Sequence, residues 1–135
     1  MKHIFEQTVY YGDTDAYGVA WHGSYLSWME QARVEFCRAI NLDLVELKNQ
    51  DVMIPVTNIN IRYKASAKLD DRIFVETSIS KISPLTITFS QIIKHKETEK
   101  VFTIGEVEVV AVNSEGKIYR RLPDILKSTC ERALV

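Results

Sequence analysis

Asp13, Asp15 and His22 are the reactive side chains of one polar stretch, residues 11–25, which also holds Gly12, Gly18, Gly23 and three tyrosines. The stretch runs straight into a long amphipathic segment. An acid placed there stands beside the first backbone N–H groups of a helix. Those groups have no intrahelical acceptor and lie at the positive end of the helix dipole. A carboxylate can serve as a general base or a nucleophile, and free N–H donors can hold developing negative charge. Taken singly, each residue has a plainer role. An Asp in a glycine-containing loop commonly caps a turn, and a His before a helix commonly caps or packs. One histidine and two acids are a weak donor set for a metal.

The elements that must position this stretch are legible from periodicity. Residues 4–10 read as a strand, with Ile4, Val9 and Tyr10 supplying β-propensity, and 12–23 as a loop with room for a short helical turn. A helix is expected from about Ser24 to Ile40, where Tyr25, Leu26, Met29, Ala32, Phe36, Ala39 and Ile40 mark one apolar face. Asn41 suits a left-handed stop, and 42–50 read as a short helix or a loop. From Ile54 the period becomes two. Ile59, Ile61 and Tyr63 alternate with Asn60, Arg62 and Lys64, as in a strand buried on one face. Further strands are expected at 71–82, 85–95 and 101–112, then a turn at 113–116 and a short amphipathic helix after Pro123. Short links favour antiparallel neighbours.

Composition narrows the class. A length of 135 residues fits one domain, and 46% hydrophobic content supports a real core. Lys and Arg number 17 against 18 acids, a net charge of −1 that argues against a nucleic-acid binder. No run approaches the roughly 18 apolar residues of a transmembrane segment, and the N-terminus becomes polar too early for a signal peptide. Cys37 and Cys130 lack metal-like spacing and fall within helical patterns, where buried thiols are expected. A soluble cytoplasmic protein is the expectation, with no metal and no cofactor required.

Spelled D-T-D-A-x-G-x-x-x-H-x-x-Y from Asp13 to Tyr25, the polar stretch resembles the signature of the hotdog-fold acyl-CoA thioesterases. It looks most like the 4-hydroxybenzoyl-CoA thioesterase-type branch, which includes bacterial thioesterases linked to the Tol–Pal system. Residues 24–36 resemble that family's N/S-Y-x-x-W/Y-x-E-x-A-R helix, and 62–71 its Y-x-x-P-A-x-Y-D-D segment. In the second of these, Ala65-Ser66 replaces a small residue and proline, and Leu69 replaces an aromatic. Arg120-Arg121-Leu122-Pro123 matches a closing R-R-x-P. The resemblance covers nearly the whole chain. It implies an α+β hotdog fold, a curved antiparallel sheet wrapped around one long central helix, as a single domain over 1–135.

The resemblance also implies hydrolysis of an acyl-CoA thioester, with a short, medium-length or aromatic acyl group, to free acid and CoA. Asp15, the second acid, matches the catalytic aspartate, acting as general base or as a nucleophile that forms an anhydride. Backbone N–H groups of Trp21, His22 and Gly23 are the expected oxyanion donors, and His22 could add a donor to the thioester. Asp13 is read as a turn cap in preference to a charge that raises the Asp15 pKa. Gly18 marks a tight turn, and Tyr25 is expected to pack against the first strand. Trp21, Gly23, Tyr25, Arg62 and Lys64 are the candidate substrate contacts, with Lys68, Lys81 and Arg120 as further basic groups for CoA phosphates. Trp21 and Trp28 suit either an acyl pocket or the core. A homodimer or homotetramer with sites at subunit interfaces is implied. The alternatives are a hydrolase of acyl groups on acyl carrier protein, and a non-catalytic hotdog protein that binds acyl ligands or assembles with a partner.

Overall fold

The computed structural model describes residues 1–134. The first strand, β1 (His3–Thr8), leads through a single 3-10 turn at Tyr11–Asp13 to the long helix α1 (His22–Ala39). A short helix α2 (Leu44–Asn49) precedes four strands: β2 (Val56–Tyr63), β3 (Arg72–Ile82), β4 (Thr86–His95) and β5 (Val101–Val110). The helix α3 (Asp124–Ala133) follows. All neighbouring strands are antiparallel, in the order β1-β3-β4-β5-β2. Tight links join β3 to β4 and β4 to β5, as the short connections predict. The five-strand sheet and single long helix are the α+β architecture expected from the sequence.

Helix α1 buries Tyr25, Trp28, Met29, Ala32, Phe36 and Cys37, a 3–4 spacing that turns one face onto the sheet. Opposite it stand inward residues of alternate strand positions: Ile73 and Val75 of β3, Ile87, Phe89 and Ile93 of β4, and Val107 and Val109 of β5. Trp28 is core, at 1% exposure. Both thiols are buried and free. The helix comes close at Gly105, where an added Cβ would stand 2.8 Å from Met29 Cε.

α1 ends where Asn41 adopts φ 64°. The Leu42 N–H donates to the Cys37 carbonyl at 2.8 Å and the Asn41 N–H to that of Arg38 at 3.1 Å, a left-handed stop that satisfies the last turn. Residues 42–50 resolve as helix because Asp43 Oδ1 accepts the Val45 and Glu46 N–H groups at its N-terminus.

Several boundaries differ from the sequence expectation. β1 stops at Thr8, not residue 10, because Tyr10 opens the 3-10 turn. β2 begins at Val56, two residues after the change of period, and β5 ends at Val110, not residue 112. α1 begins at His22 rather than Ser24, so the motif histidine and Gly23 lie in its first turn. No helix among the described residues is long and apolar enough to cross a membrane.

Candidate active site

The polar stretch folds into a small hairpin braced against the helix. Thr14 bridges Ala20, and the Asp15 N–H donates to the Val19 carbonyl at 2.9 Å. The chain reverses at 15–18, where the Gly18 N–H returns to the Asp15 carbonyl at 3.0 Å and Gly18 takes φ 80°. That left-handed geometry favours glycine. The far side is pinned by the Ala20 N–H on the Ala67 carbonyl at 2.8 Å.

Asp13 is a structural staple. Its Oδ2 accepts the Tyr10 N–H at 2.9 Å. Its carbonyl accepts both the Trp21 N–H and the Ser24 hydroxyl, each at 2.8 Å. The loop is thereby tied to the first turn of α1, which fits the capping role.

Asp15 is held differently. Its Oδ1 accepts the Tyr17 N–H at 2.8 Å, which orients the carboxylate, and no described donor bonds its Oδ2. The residue is half-buried and lines a cleft of about 330 Å³ with Val19, Ala20, His22, Tyr25 and Tyr63. Lys64, Ala65 and Ser66 complete its wall.

At the start of α1 the backbone donors divide. The Trp21 N–H belongs to the Asp13 carbonyl and the Ser24 N–H to the Trp21 carbonyl at 2.9 Å. The N-cap Trp21 supplies no side-chain acceptor. Among the described residues, only the His22 and Gly23 N–H groups of this turn therefore lack a partner. This revises the expected trio of donors: Trp21 is already engaged. The free pair sits at the positive end of an 18-residue helix.

Trp21 stands half exposed, outside the cleft lining, with its ring folded over Gly23. An added Cβ at Gly23 would fall 2.2 Å from the Trp21 ring. A side chain at Gly23 would therefore have to displace the indole. Tyr25 is 3% exposed and packs edge-on against Trp28 and Tyr63, with ring centroids 5.3 and 5.6 Å away. Its hydroxyl oxygen accepts the Ala67 N–H at 2.9 Å. Its ring and hydrogen-bond partners thus include Trp28, the end of β2 and the 65–68 segment. Burial pushes its pKa up, so the phenol stays protonated.

The basic candidates scatter. Lys64 borders both the cleft and a second hollow of about 250 Å³, and Arg62 opens only onto the second, with Asn60, Ile104 and Glu106. Strand alternation explains this: Tyr63 faces α1, and Arg62 faces the opposite side of the sheet. Lys68, Lys81 and Arg120 are exposed and line neither hollow. Tyr63 is the site residue that sequence reasoning missed. It reads as one more inward residue of β2, yet its hydroxyl donates to the His22 carbonyl at 3.0 Å. Its position as the last inward residue of an alternating strand was the available signal. No cluster of His, Cys, Asp and Glu capable of holding a metal ion occurs among the described residues.

Residues 9–132 match the family model of the thioesterase-like superfamily. The chain is 38% identical over 122 residues to the acyl-CoA thioesterase YbgC of Haemophilus influenzae, covering 84% of this chain and 90% of that protein. It is 35% identical over 115 residues to the acyl-CoA thioester hydrolase YbgC of Escherichia coli, covering 85% of each. Among solved structures it resembles a DHNA-CoA thioesterase from Staphylococcus aureus at 27% identity and a TM-score of 0.87, over 97% of this chain and 90% of that one.

Proposed function

The chain belongs to the thioesterase-like superfamily, and from that premise we propose that it hydrolyses acyl-CoA thioesters with Asp15 as the working carboxylate. One observation supports this reading above the others. The oriented Asp15 carboxylate and His22, in the first turn of α1, line the same cleft, and the His22 and Gly23 N–H groups are unpaired. A base or nucleophile and an oxyanion receptor thus flank one space.

In the reaction, the acyl carbonyl oxygen accepts hydrogen bonds from the His22 and Gly23 N–H groups. Asp15 takes a proton from water, and the hydroxide oxygen bonds to the carbonyl carbon. The tetrahedral intermediate collapses, the C–S bond breaks, and the proton passes to the departing thiolate, giving carboxylic acid and CoA. In the covalent variant Asp15 Oδ2 attacks the carbon itself, the C–S bond breaks as CoA departs as its thiolate, and water then hydrolyses the resulting anhydride, returning the Asp15 carboxylate and the free acid as the released proton passes to the thiolate. An oxyanion donor of this kind contributes about 3–4 kcal/mol. On this reading the His22 imidazole, which lines the cleft, donates to the leaving sulfur. On the same reading Lys64, at the cleft wall, meets a CoA phosphate.

Strand β2 is a sheet edge with Val56, Ile59 and Tyr63 partly exposed. An unpaired edge of this length invites a second strand. The reading therefore includes a two-fold dimer in which β2 pairs with its symmetry mate. Light scattering on the eluting peak measures that directly.

The decisive experiment is thiol release from butanoyl-, dodecanoyl- and benzoyl-CoA by the wild type and Asp15→Asn. Turnover lost in a folded variant supports the assignment. Undiminished turnover removes Asp15 from its role, and silence on all three substrates by the wild type rejects CoA esters. Acyl carrier protein substrates would then be tried.

A further inference from the structure

Tyr25 stands three residues after His22 in α1, so the two side chains share a helix face. Long side chains on a helix lean toward its N-terminus. The Tyr25 hydroxyl thus reaches back toward the loop that carries Asp15, and one residue, Ala67, joins the two. The Ala67 N–H donates to the Tyr25 oxygen at 2.9 Å, and the Ala67 carbonyl accepts the Ala20 N–H at 2.8 Å. The adjacent Val19 carbonyl takes the Asp15 N–H at 2.9 Å. Phenol and carboxylate both line the cleft of about 330 Å³.

These bonds leave one unused group on each side. The phenol oxygen serves Ala67 as an acceptor, and its own proton has no acceptor among the described residues. Asp15 Oδ2 likewise has no described donor. A donor proton on a residue 3% exposed is costly to leave unmade. The neighbouring Tyr63 hydroxyl is already committed to the His22 carbonyl at 3.0 Å.

We propose that Tyr25 is a further catalytic residue, its hydroxyl donating to the attacking water while that water donates to Asp15 Oδ2. This rests on the hydrolase reading above and goes beyond it by adding the group that aims the nucleophile. Water held this way has one lone pair on the phenol, one proton on the carboxylate and its second lone pair free for the thioester carbon. Fixing that direction in advance removes part of the entropic barrier. Asp15 takes the water proton as the oxygen bonds to the carbonyl carbon, and the phenol keeps its own proton throughout. Burial, reinforced by Tyr63, Asp15 and Asp71, holds the phenol above its ordinary range despite the Ala67 N–H. Tyr25 therefore acts as a fixed donor and neither as acid nor as base. A water on Oδ2 also keeps that oxygen from the thioester carbon, so the general-base route follows.

The test is Tyr25→Phe, which keeps the ring and its edge contacts with Trp28 and Tyr63. Wild type and variant are assayed on butanoyl-, dodecanoyl- and benzoyl-CoA and crystallised at a resolution that shows ordered water. We expect a folded variant with kcat lowered about 30-fold and KM within about twofold, the mark of an interaction made in the transition state alone. An unchanged kcat, or a raised KM with kcat intact, overturns the proposal, since Tyr25 then only braces the 65–68 wall. In wild-type crystals one water should lie within hydrogen-bond distance of both Tyr25 Oη and Asp15 Oδ2, and the variant should lose it. A direct Tyr25–Asp15 bond, or no shared water, refutes the assignment. That result decides the matter even where Tyr25→Phe fails to fold. A wild type silent on all three esters rejects the hydrolase reading for CoA esters, and the role of Tyr25 falls with it. An active wild type with an equally active variant rejects the Tyr25 proposal by itself.

Discussion

The Tyr63 hydroxyl donates to the His22 carbonyl oxygen at 3.0 Å, joining the end of β2 to the first turn of α1 across 41 residues of sequence. This bond sets the helix start, with its two free N–H groups, against the strand wall of the cleft. Tyr63→Phe keeps the ring contact with Tyr25 and removes only this bond. A neutral hydrogen bond is worth about 1 kcal/mol net. The variant is expected to keep its melting temperature within a few degrees and to lose about fivefold in kcat, as steady-state thiol release will show.

Asp13 and Asp15 are two residues apart and separable by substitution. Asp15→Asn retains the Oδ1 acceptor that receives the Tyr17 N–H, so the loop should persist while turnover falls by about 10²–10⁴. Asp13→Ala deletes the acceptor for Tyr10. It should cost about 1 kcal/mol in urea unfolding and lower kcat by less than tenfold. Circular dichroism and initial rates on both proteins test the pair. A larger rate loss in Asp13→Ala than in Asp15→Asn would invert the roles.

Gly23→Ala places a methyl group 2.2 Å from a Trp21 ring carbon. The ring must swing away, because α1 is anchored through Asp13. Destabilisation of about 1–3 kcal/mol is expected, with a changed tryptophan emission. In the Trp21→Ala background the same substitution should cost less than 1 kcal/mol, so the two changes are strongly non-additive.

Gln91 is wholly buried on β4 and makes three bonds: it accepts from Arg33 at 2.9 Å and donates to the Met29 carbonyl at 2.8 Å and to Thr77 Oγ1 at 3.0 Å. Gln91→Leu preserves the approximate volume but strands the Arg33 guanidinium, whose pKa burial already depresses. A loss of about 2–3 kcal/mol in denaturant unfolding is expected. Stability within 0.5 kcal/mol of the wild type, roughly the level of a surface substitution, would show that the network carries no weight.

Burial pushes the Cys37 thiol up to about 11 and the Cys130 thiol up to about 12. The unfolded chain begins to release these protons near the ordinary thiol value of 9.0, while the folded chain still holds them. Above that pH the folded state binds more protons, so stability must fall as pH rises. Thermal melts between pH 8 and 11 should decline, and less steeply in Cys130→Ala. Equal slopes would contradict this origin.

Much of the architecture was readable because it depends on local pattern. The 3–4 spacing of Tyr25, Met29, Ala32 and Phe36 and the stop at Asn41 each act within a few residues. The alternation of Ile59, Ile61 and Tyr63 marked β2 as a strand, but the burial expected of that face is not met, because β2 is a sheet edge with Ile59 and Tyr63 exposed. The polar stretch was likewise visible as a site, since Asp15, His22 and Gly18 lie close in sequence. Tertiary structure decided which of these groups are free to act. Trp21 loses its N–H to Asp13, eight residues earlier, and only the folded hairpin shows it. Arg62 and Tyr63 are sequence neighbours on opposite faces of the sheet, so one leaves the cleft as the other enters it. Hydrogen-bond satisfaction and strand facing are properties of groups brought together by the chain's return. Sequence spacing announced the carboxylate; the return of the end of β2 to the start of α1, where Tyr63 meets His22, determined what surrounds it.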